Sequence, residues 1–436
     1  MKFLRILGGL AVAGVLVLSA GSVDFLVAQA PPASEGEVTF TKDVAPILQR
    51  SCQNCHRPGS IAPMSLLTYE AARPWAPMIK QRVAAREMPP WYVEKHVGIQ
   101  AFKDDVSLSD ADIATITAWV DGGAPEGNPS DLPPPRMFED DDQWRIGTPD
   151  LIVQVPQDWT IPAEGPDAWI ESIAPTGLTE DRYIRAMQTR PGLGTLPVIH
   201  HITTNMGAPG EWQGLSEYAL GKNADIFPDG TGILLEAGSS IKFQVHYSSS
   251  SYGQEVVDTH AQLGFVFYPE GVVPTSVMER RGMGSPVHGN INGIDVPAND
   301  PNVRIDGYTR LDEPTQITSF QPHMHALGRR MCMEAILPSG GVETLSCTRY
   351  DVNWNIVYVY AEDVTPLLPA GTLLHVIGWH DNSADNPLNP DPRNWVGWGA
   401  RTVDDMSFAH VGTVTLRQED FDRMVAEREA ATPITE

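Results

Sequence analysis

Two cysteines and a histidine stand in the pattern Cys52-X-X-Cys55-His56 near the start of the 436-residue chain. Thiols at this spacing can add to both vinyl groups of one haem, and the next imidazole then lies under the iron. A redox dithiol would need a thioredoxin-like βαβ context, and a zinc site would need another cysteine pair nearby; the sequence has neither. The pattern predicts one covalently bound haem c with His56 as an axial ligand.

The second axial ligand of such a haem is commonly a methionine from a loop downstream. Met88 follows a segment with helical spacing and precedes Pro89 and Pro90, which hold the backbone extended. We therefore predict that Met88 is the sixth haem ligand. Met64 and Met78 are the alternatives, although filling a core is the common role of any single methionine.

Five histidines in the second part of the chain form a further set. His200 and His201 are adjacent, His246 follows, and His323 and His325 flank one methionine. A single histidine is usually a surface or satisfied core residue, but alternate residues of an extended strand share a face, so the last two can bind one ion together. Three imidazoles suit copper or zinc, whereas imidazoles with a thioether select copper, above all its reduced state. The set predicts metal binding.

Four segments resemble, in order and spacing, the copper motifs of the ascorbate-dependent copper monooxygenases, the family that includes dopamine β-hydroxylase and peptidylglycine α-hydroxylating monooxygenase. The resemblance covers roughly residues 150–416. The matching segments are Val198-Ile-His-His-Ile202, Phe243-Gln-Val-His-Tyr247, Phe320-Gln-Pro-His-Met-His-Ala-Leu-Gly-Arg329 and Asp404-Asp-Met-Ser-Phe408. The resemblance implies an electron-transfer copper held by His200, His201 and His246. It implies a second, catalytic copper, which binds O2 and hydroxylates the substrate, held by His323, His325 and Met406.

The resemblance also implies a fold and an activity. Family members consist of two jelly-roll β-sandwich domains with one copper each, and they hydroxylate a C–H bond of a small organic substrate with O2. Since this chain adds a haem, we expect electrons to pass from an external donor, either another cytochrome or a quinone-linked protein, through the haem to the first copper and then the second. The alternatives are a non-enzymatic electron-transfer or copper-binding protein with the same sites, and a lectin-like sandwich with incidental histidines.

The chain departs from the peptide-hydroxylating branch at the residues that grip a peptide carboxylate. Gln321, Phe408 and His410 replace an arginine, an asparagine and a tyrosine of that branch, so a peptide ending in glycine is not expected as substrate. Gln321 is similar to the dopamine branch. Candidates for orienting a substrate are His380 and His410. Candidates for relaying electrons or binding substrate, with core packing as the alternative role, are Trp91, Trp354, Trp379 and Trp395.

The family's many disulfides are absent from this chain, because only Cys332 and Cys347 remain after haem attachment. If Ser339-Gly340 forms the turn of a hairpin, these two cysteines lie directly opposite each other on neighbouring strands. We therefore predict a disulfide between them.

The N-terminus carries Lys2 and Arg5 before an apolar run from Ile6 to Ala20, which is the layout of an export signal. We predict a signal peptide over residues 1–30 and a periplasmic or secreted protein, or a membrane-anchored one if the segment is retained. The formal charge of −25, from 30 basic and 55 acidic residues, disfavours nucleic acid and anionic lipid as partners.

The elements that must position these residues fall into sections. Helical spacing over 42–51, 68–86 and 109–121, with a cap at Ser109 and Asp112, predicts a small all-α cytochrome c domain at 38–128. A linker rich in Pro, Gly and acidic residues spans 129–149. Alternating β-branched strands then predict an all-β domain at 150–283 and, beyond a second break at 284–302, another at 303–420. The fold class is therefore multidomain: an all-α haem domain followed by two all-β sandwiches, which the resemblance makes jelly rolls.

Overall fold

The computed structural model describes residues 37–60, 62–138, 143–165, 168–192, 194–219, 224–247, 253–258, 260–284, 293–399, 401 and 403–431. The predicted signal peptide at 1–30, the acidic run 139–142 and residues 285–292 of the predicted break lie outside these residues. Within them, no helix is both long enough and apolar enough to span a membrane.

The N-terminal section is built from short helices around one apolar cluster. They are a π-helical turn at Phe40–Val44, α1 (Ala45–Ser51), α2 (Tyr69–Ala72), a 3-10 turn at Arg73–Trp75, α3 (Ala76–Ala84) and α4 (Asp110–Asp121). Their buried faces include Leu48, Val83 and Trp119, which accounts for the helical spacing in the sequence. The predicted cap is confirmed: Ser109 Oγ accepts the Asp112 N–H at 3.1 Å and the Asp112 carboxylate accepts the Ser109 N–H at 2.9 Å.

One strand interrupts these helices and leaves the N-terminal section. The strand β1 (Val93–Gly98) pairs antiparallel with a strand of the last third of the chain, with Val93 opposite Thr348. Tyr92 and Phe102, on either side of it, are buried in the apolar core of that later region. The sequence did not predict this strand. The segment around it is not helical, and part of it packs outside the N-terminal section.

The next section is a β-sandwich. Its strands are β2 (Leu151–Gln154), β3 (Trp159–Ile161), β4 (Ala168–Pro175), β5 (Arg182–Arg190), β6 (Ile199–Ala208), β7 (Glu211–Ala219), β8 (Asp225–Ile226), β9 (Thr231–Leu235), β10 (Ser240–Tyr247), β11 (Val256–Asp258), β12 (Gln262–Phe267) and β13 (Ser276–Met283). The sheet β4-β10-β6-β7 packs on the sheet that contains β5, β9 and β12. Ile184, Ile202, Phe243 and Phe265 fill the space between the two sheets.

The last section contains the remaining strands and a terminal helix. They are β14 (Asp295–Val296), β15 (Val303–Arg310), β16 (Thr315–His323), β17 (Gly328–Ile336), β18 (Val342–Arg349), β19 (Tyr358–Val359), β20 (Leu367–Leu368), β21 (Leu373–His380), β22 (Val396–Gly397), β23 (Phe408–Thr415) and α5 (Gln418–Ala431). The five-stranded sheet β1-β18-β17-β21-β15 packs on the sheet that contains β16 and β23. Phe320, Met331 and Val376 lie in the core between these sheets.

The two β sections share a sheet. The strand β13 pairs parallel with β9 of the first section and antiparallel with β23 of the second, which completes a ten-stranded sheet across both. In the second section, Cys332 and Cys347 are direct partners on β17 and β18 and form a disulfide, as the hairpin predicted. The chain is thus mostly β: the strand β16, which carries His323, lies in the shared sheet, whereas β6 and β10, which carry the other histidines, lie in the sheet that packs on it.

Candidate metal centres

The histidines of the first β section are brought together by an irregularity in the sheet. His201 on β6 is the cross-strand partner of His246 on β10, but the next pair is Tyr247 with Ile199, so His200 is an extra residue in a β-bulge. In a regular strand two consecutive side chains point to opposite faces of the sheet. The bulge changes the direction of one of them, so both imidazoles can approach His246.

The three imidazoles converge to within the dimensions of a metal site. One ring nitrogen from each of His200, His201 and His246 lies within 4.8 Å of the others. The Nδ1 atoms of His200 and His201 are 2.9 Å apart. Trp169 stacks on His246 at 4.2 Å between ring centroids, which limits the movement of that ring. A set of three imidazoles fits copper or zinc.

The last third of the chain supplies hydrogen-bond partners to these rings. His200 Nε2 donates to the Asn353 carbonyl at 2.8 Å, and the Asn355 amide donates to His201 Nδ1 at 2.9 Å. The Asn353 carbonyl can only accept, so a neutral His200 ring carries its proton on Nε2 and has a lone pair on Nδ1. His201 Nδ1 accepts from Asn355 and therefore also has a lone pair, so the lone pairs of the two Nδ1 atoms face each other. Two acceptor nitrogens at this distance repel each other unless a cation lies between them. The donor set therefore fits a bound metal ion, and Asn353 fixes the tautomer that would bind it.

The ring of His201 stays neutral far into the acid range. Burial, with smaller contributions from the neighbouring His200, His246 and His323, lowers the pKa of His201 to about 2. Metal binding requires a deprotonated imidazole, so this environment favours a ligand role. His323 belongs to the second predicted ligand set, and its influence on the pKa of His201 shows that the two sets lie within electrostatic reach of each other.

The second set stands at the end of β16. His323 is the last residue of that strand, and Met324 after it is buried in the core, so His323 and His325 lie on the opposite side with ring centroids 5.7 Å apart. The sequence predicted this shared face. Burial, with a smaller contribution from His325, lowers the pKa of His323 to about 4. His325 Nδ1 donates to the Asp404 carbonyl at 2.9 Å, which leaves Nε2 for a metal.

Asp405 joins the segment of His325 to the segment of Met406. Its buried carboxylate accepts the backbone N–H groups of His325 and Met406, each at 2.8 Å, and that of Leu327 at 3.2 Å. Met406 is half-buried immediately before β23. The two predicted ligand segments, about 80 residues apart in the chain, are therefore held together by one side chain. Asp405 could not be singled out from the sequence, because a carboxylate next to a candidate ligand has no spacing signal of its own.

The two histidines predicted to orient a substrate have different surroundings. His380 is buried, and its Nε2 donates to the Met406 carbonyl at 3.3 Å and lies 3.5 Å from the Asp405 carboxylate, so it supports the Met406 segment from inside. The His410 ring lies 5.5 Å from that of His323, and burial holds its pKa well below the usual value. Gln321, opposite His410 in the sheet, accepts from Arg280.

The predicted tryptophans occupy four separate places. Trp91 packs edge-on against Tyr358 at 5.0 Å, and Trp354 packs on the core of the second β section. Arg330 lies 4.4 Å from the Trp379 ring. Trp395 is exposed at a cavity described below. Trp91 and Trp354 thus pack on the core, which is the alternative role that the sequence left open for them.

The segment Cys52-X-X-Cys55-His56, predicted to attach haem, lies at the end of α1. Backbone hydrogen bonds from Cys55 and His56 to the Cys52 carbonyl, at 3.2 and 3.0 Å, place the three residues on one turn. Both cysteines are free thiols, and burial raises the pKa of Cys52 to about 12. His56 Nδ1 donates to the Met64 carbonyl at 3.3 Å, so Nε2 is the nitrogen left for iron. This arrangement fits a covalent haem with His56 as ligand.

The structure separates the methionines considered for the sixth position. Met88 is half-buried after α3, and its N–H donates to the Arg82 carbonyl at 3.4 Å. Met64 packs on the N-terminal cluster beside Cys52, and Met78 is 41% exposed. Met88 stays a prediction as the sixth ligand.

Comparisons with known proteins identify no relative. No protein-family model and no curated protein matches the chain. Among solved structures, a putative α-L-fucosidase from Bacteroides ovatus matches with 10% identity over 70% of this chain and 43% of its own length, at a TM-score of 0.17. An allantoicase matches with 12% identity over 49% of this chain and 77% of its own, at a TM-score of 0.16. This chain thus spans less than half of the fucosidase, and these scores are too low to assign a fold.

Proposed function

We propose that the chain is an exported monooxygenase, dependent on copper and haem, that hydroxylates a C–H bond of a small organic substrate with O2. The observation that carries the proposal is the convergence of His200, His201 and His246 within electrostatic reach of His323. We further propose that the two β sections are the jelly-roll domains of a copper monooxygenase, and that residues 38–128 are a cytochrome c domain.

The two ligand sets suit different tasks. Bound copper and haem would supply the redox chemistry, carrying electrons from an external donor to O2. Three imidazoles accommodate both oxidation states of copper, which suits His200, His201 and His246 to electron transfer. A thioether favours the reduced state, which suits the set with Met406 to the reaction with O2. Asn353 and Asp405 keep the two sets oriented, the first through a ring nitrogen and the second through the backbone.

Oxygen incorporation tests this function directly. The copper- and haem-loaded protein, supplied with ascorbate, heavy-isotope O2 and phenethyl alcohol among a panel of small organic substrates, is expected to form a product that carries one heavy oxygen atom. Mass spectrometry of the product measures it, and protein treated with a copper chelator is the control. Binding of copper with reversible reduction but no incorporation of oxygen into any substrate would instead favour the non-enzymatic electron-transfer or copper-binding role.

Covalent attachment of the haem has its own test. The variant Cys52→Ala/Cys55→Ala is expected to lose haem completely when the protein is denatured in acid acetone, whereas the unchanged protein retains it, because only the two thioether bonds survive unfolding. Absorbance of the precipitated chain measures retention. The matched control is Cys332→Ala/Cys347→Ala, which removes the disulfide pair and leaves the attachment cysteines in place. Haem that is stripped from the unchanged protein would overturn the assignment.

A further inference from the structure

A cavity of about 640 Å³ opens beside the second ligand set. Its walls are mainly apolar and include Ala326, Leu327, Trp395, Val396, Trp398 and Val403. Trp395 is 58% exposed and Trp398 is 38% exposed. Large apolar side chains that cluster at an open concave surface mark ligand sites, because they otherwise pack in the interior. The cavity is therefore a candidate for binding a small apolar molecule.

One indole ring of this cavity, that of Trp395, is held in place before any ligand arrives. Trp395 Nε1 donates to the Asp295 carboxylate, and the ring lies over Gly397, where a Cβ atom would stand only 2.7 Å from a ring carbon. Trp398 forms a backbone bridge to Asp405. A fixed aromatic surface loses little conformational entropy when a ring stacks on it, so it favours an aromatic ligand.

The charged groups of the cavity wall are already paired. Arg401 makes two hydrogen bonds to the Asp404 carboxylate at 2.8 and 2.6 Å, and Arg393 makes two to Asp391, both at 2.8 Å. An ionic ligand would have to break one of these pairs or lose its hydration without a counter-charge. The Asn394 side chain makes no hydrogen bond to the described residues, which leaves its carboxamide for a polar group of the ligand.

We infer that this cavity binds a neutral aromatic molecule that carries one hydroxyl or carbonyl group. On the proposed function, on which this last step rests, that molecule is the substrate. Asp404 lines the cavity and its carbonyl holds His325, while Leu327 lines it and donates to Asp405. The cavity wall and the second ligand set are therefore built from the same two segments.

Three probes of the same shape and different charge test the inference. They are phenethyl alcohol, phenethylamine and phenylacetate, titrated calorimetrically into the full chain without metal. The alcohol is expected to bind about tenfold or more tightly than either ion, since neither charge finds a partner in the wall. Trp395→Ala and Trp398→Ala should each weaken binding of the alcohol about tenfold. Trp212→Ala is the matched control, because the Trp212 ring on β7 contacts Lys242 on β10 of the same sheet and does not line the cavity.

The outcomes separate this inference from the proposed function. Equal binding of all three probes, or an affinity for the alcohol unchanged in both cavity variants, would overturn the inference whatever the protein catalyses. Selective binding of the alcohol without oxygen incorporation in the copper-loaded protein would uphold the cavity and contradict the monooxygenase. Incorporation into a substrate whose KM is unchanged by Trp395→Ala would uphold the enzyme and contradict the cavity as its substrate site.

Discussion

The variant His323→Ala/His325→Ala is expected to bind about one copper ion per chain, against about two in the unchanged protein. The two imidazoles lie side by side on the face opposite Met324, and their removal leaves a single thioether that cannot hold copper alone. His200, His201 and His246 lie on other strands and keep their own contacts. Metal analysis after dialysis of the copper-loaded protein gives the count.

The first ligand set provides the complementary measurement. His200→Ala/His201→Ala should also reduce the copper count to about one, but the ion that remains should be the one favoured in the reduced state, because the thioether set survives. His260→Ala is a control for the loss of a histidine, since its ring bonds the Val155 carbonyl outside both sets. Two ions retained in either double variant would show that the corresponding residues are not the ligands.

In addition, Met406→Ala should abolish product formation while the first copper remains reducible.

The parts of the fold that the sequence predicted are those with a regular apolar period. The helices at α1, α3 and α4 and the strands β2, β10 and β12 all follow from such patterns. The strand β1 did not, because it is short, only half-buried and paired with β18, about 250 residues later in the chain. Pairing of this kind is decided by tertiary contacts rather than by the local pattern.

The candidate ligand residues could be selected from the sequence, but their geometry could not. A regular strand would place the side chains of His200 and His201 on opposite faces of the sheet. The bulge opposite Tyr247 changes the direction of one of them, so that both can approach His246. The hydrogen-bond partners Asn353 and Asn355 are far from the first ligand set in the sequence, because they belong to a loop of the other β section. Residue type reveals what can bind a metal, whereas the sheet contacts decide which residues meet.

The sequence likewise gave no sign that Trp395 and Trp398 share a cavity with Leu327. Each tryptophan alone is explained by core packing, as proved to be the role of Trp91 and Trp354. What distinguishes the cavity pair is exposure, combined in Trp395 with a ring that is held in place, and both properties depend on neighbours that no spacing rule identifies. Function assigned to aromatic residues therefore needs the fold.

The second largest effect is expected from Asp405, which we infer to be a positioning residue for the second ligand set. One oxygen of its carboxylate accepts from both His325 and Met406, and the other accepts from Leu327. Asp405→Asn keeps one oxygen but places an N–H2 group against the Leu327 N–H, so donor meets donor. Residues that orient metal ligands typically contribute a factor of about 10 to 100 in affinity, and we expect a loss of Cu(I) affinity of that size at this set alone.

The neighbouring residue offers the control. Within the described part of the chain, the Asp404 carboxylate makes its hydrogen bonds to Arg401, and Asp404→Asn removes its charge while leaving the backbone carbonyl that holds His325. We expect its Cu(I) affinity to remain unchanged. X-ray absorption of the reduced protein supplies a readout that general destabilisation would not produce: sulfur scattering from Met406 should disappear in Asp405→Asn and persist in Asp404→Asn, while the nitrogen scattering of the first set stays constant. If Asp405→Asn keeps both the sulfur scattering and the full Cu(I) affinity, the carboxylate does not position the ligands, because the two ligand segments are then held together without it.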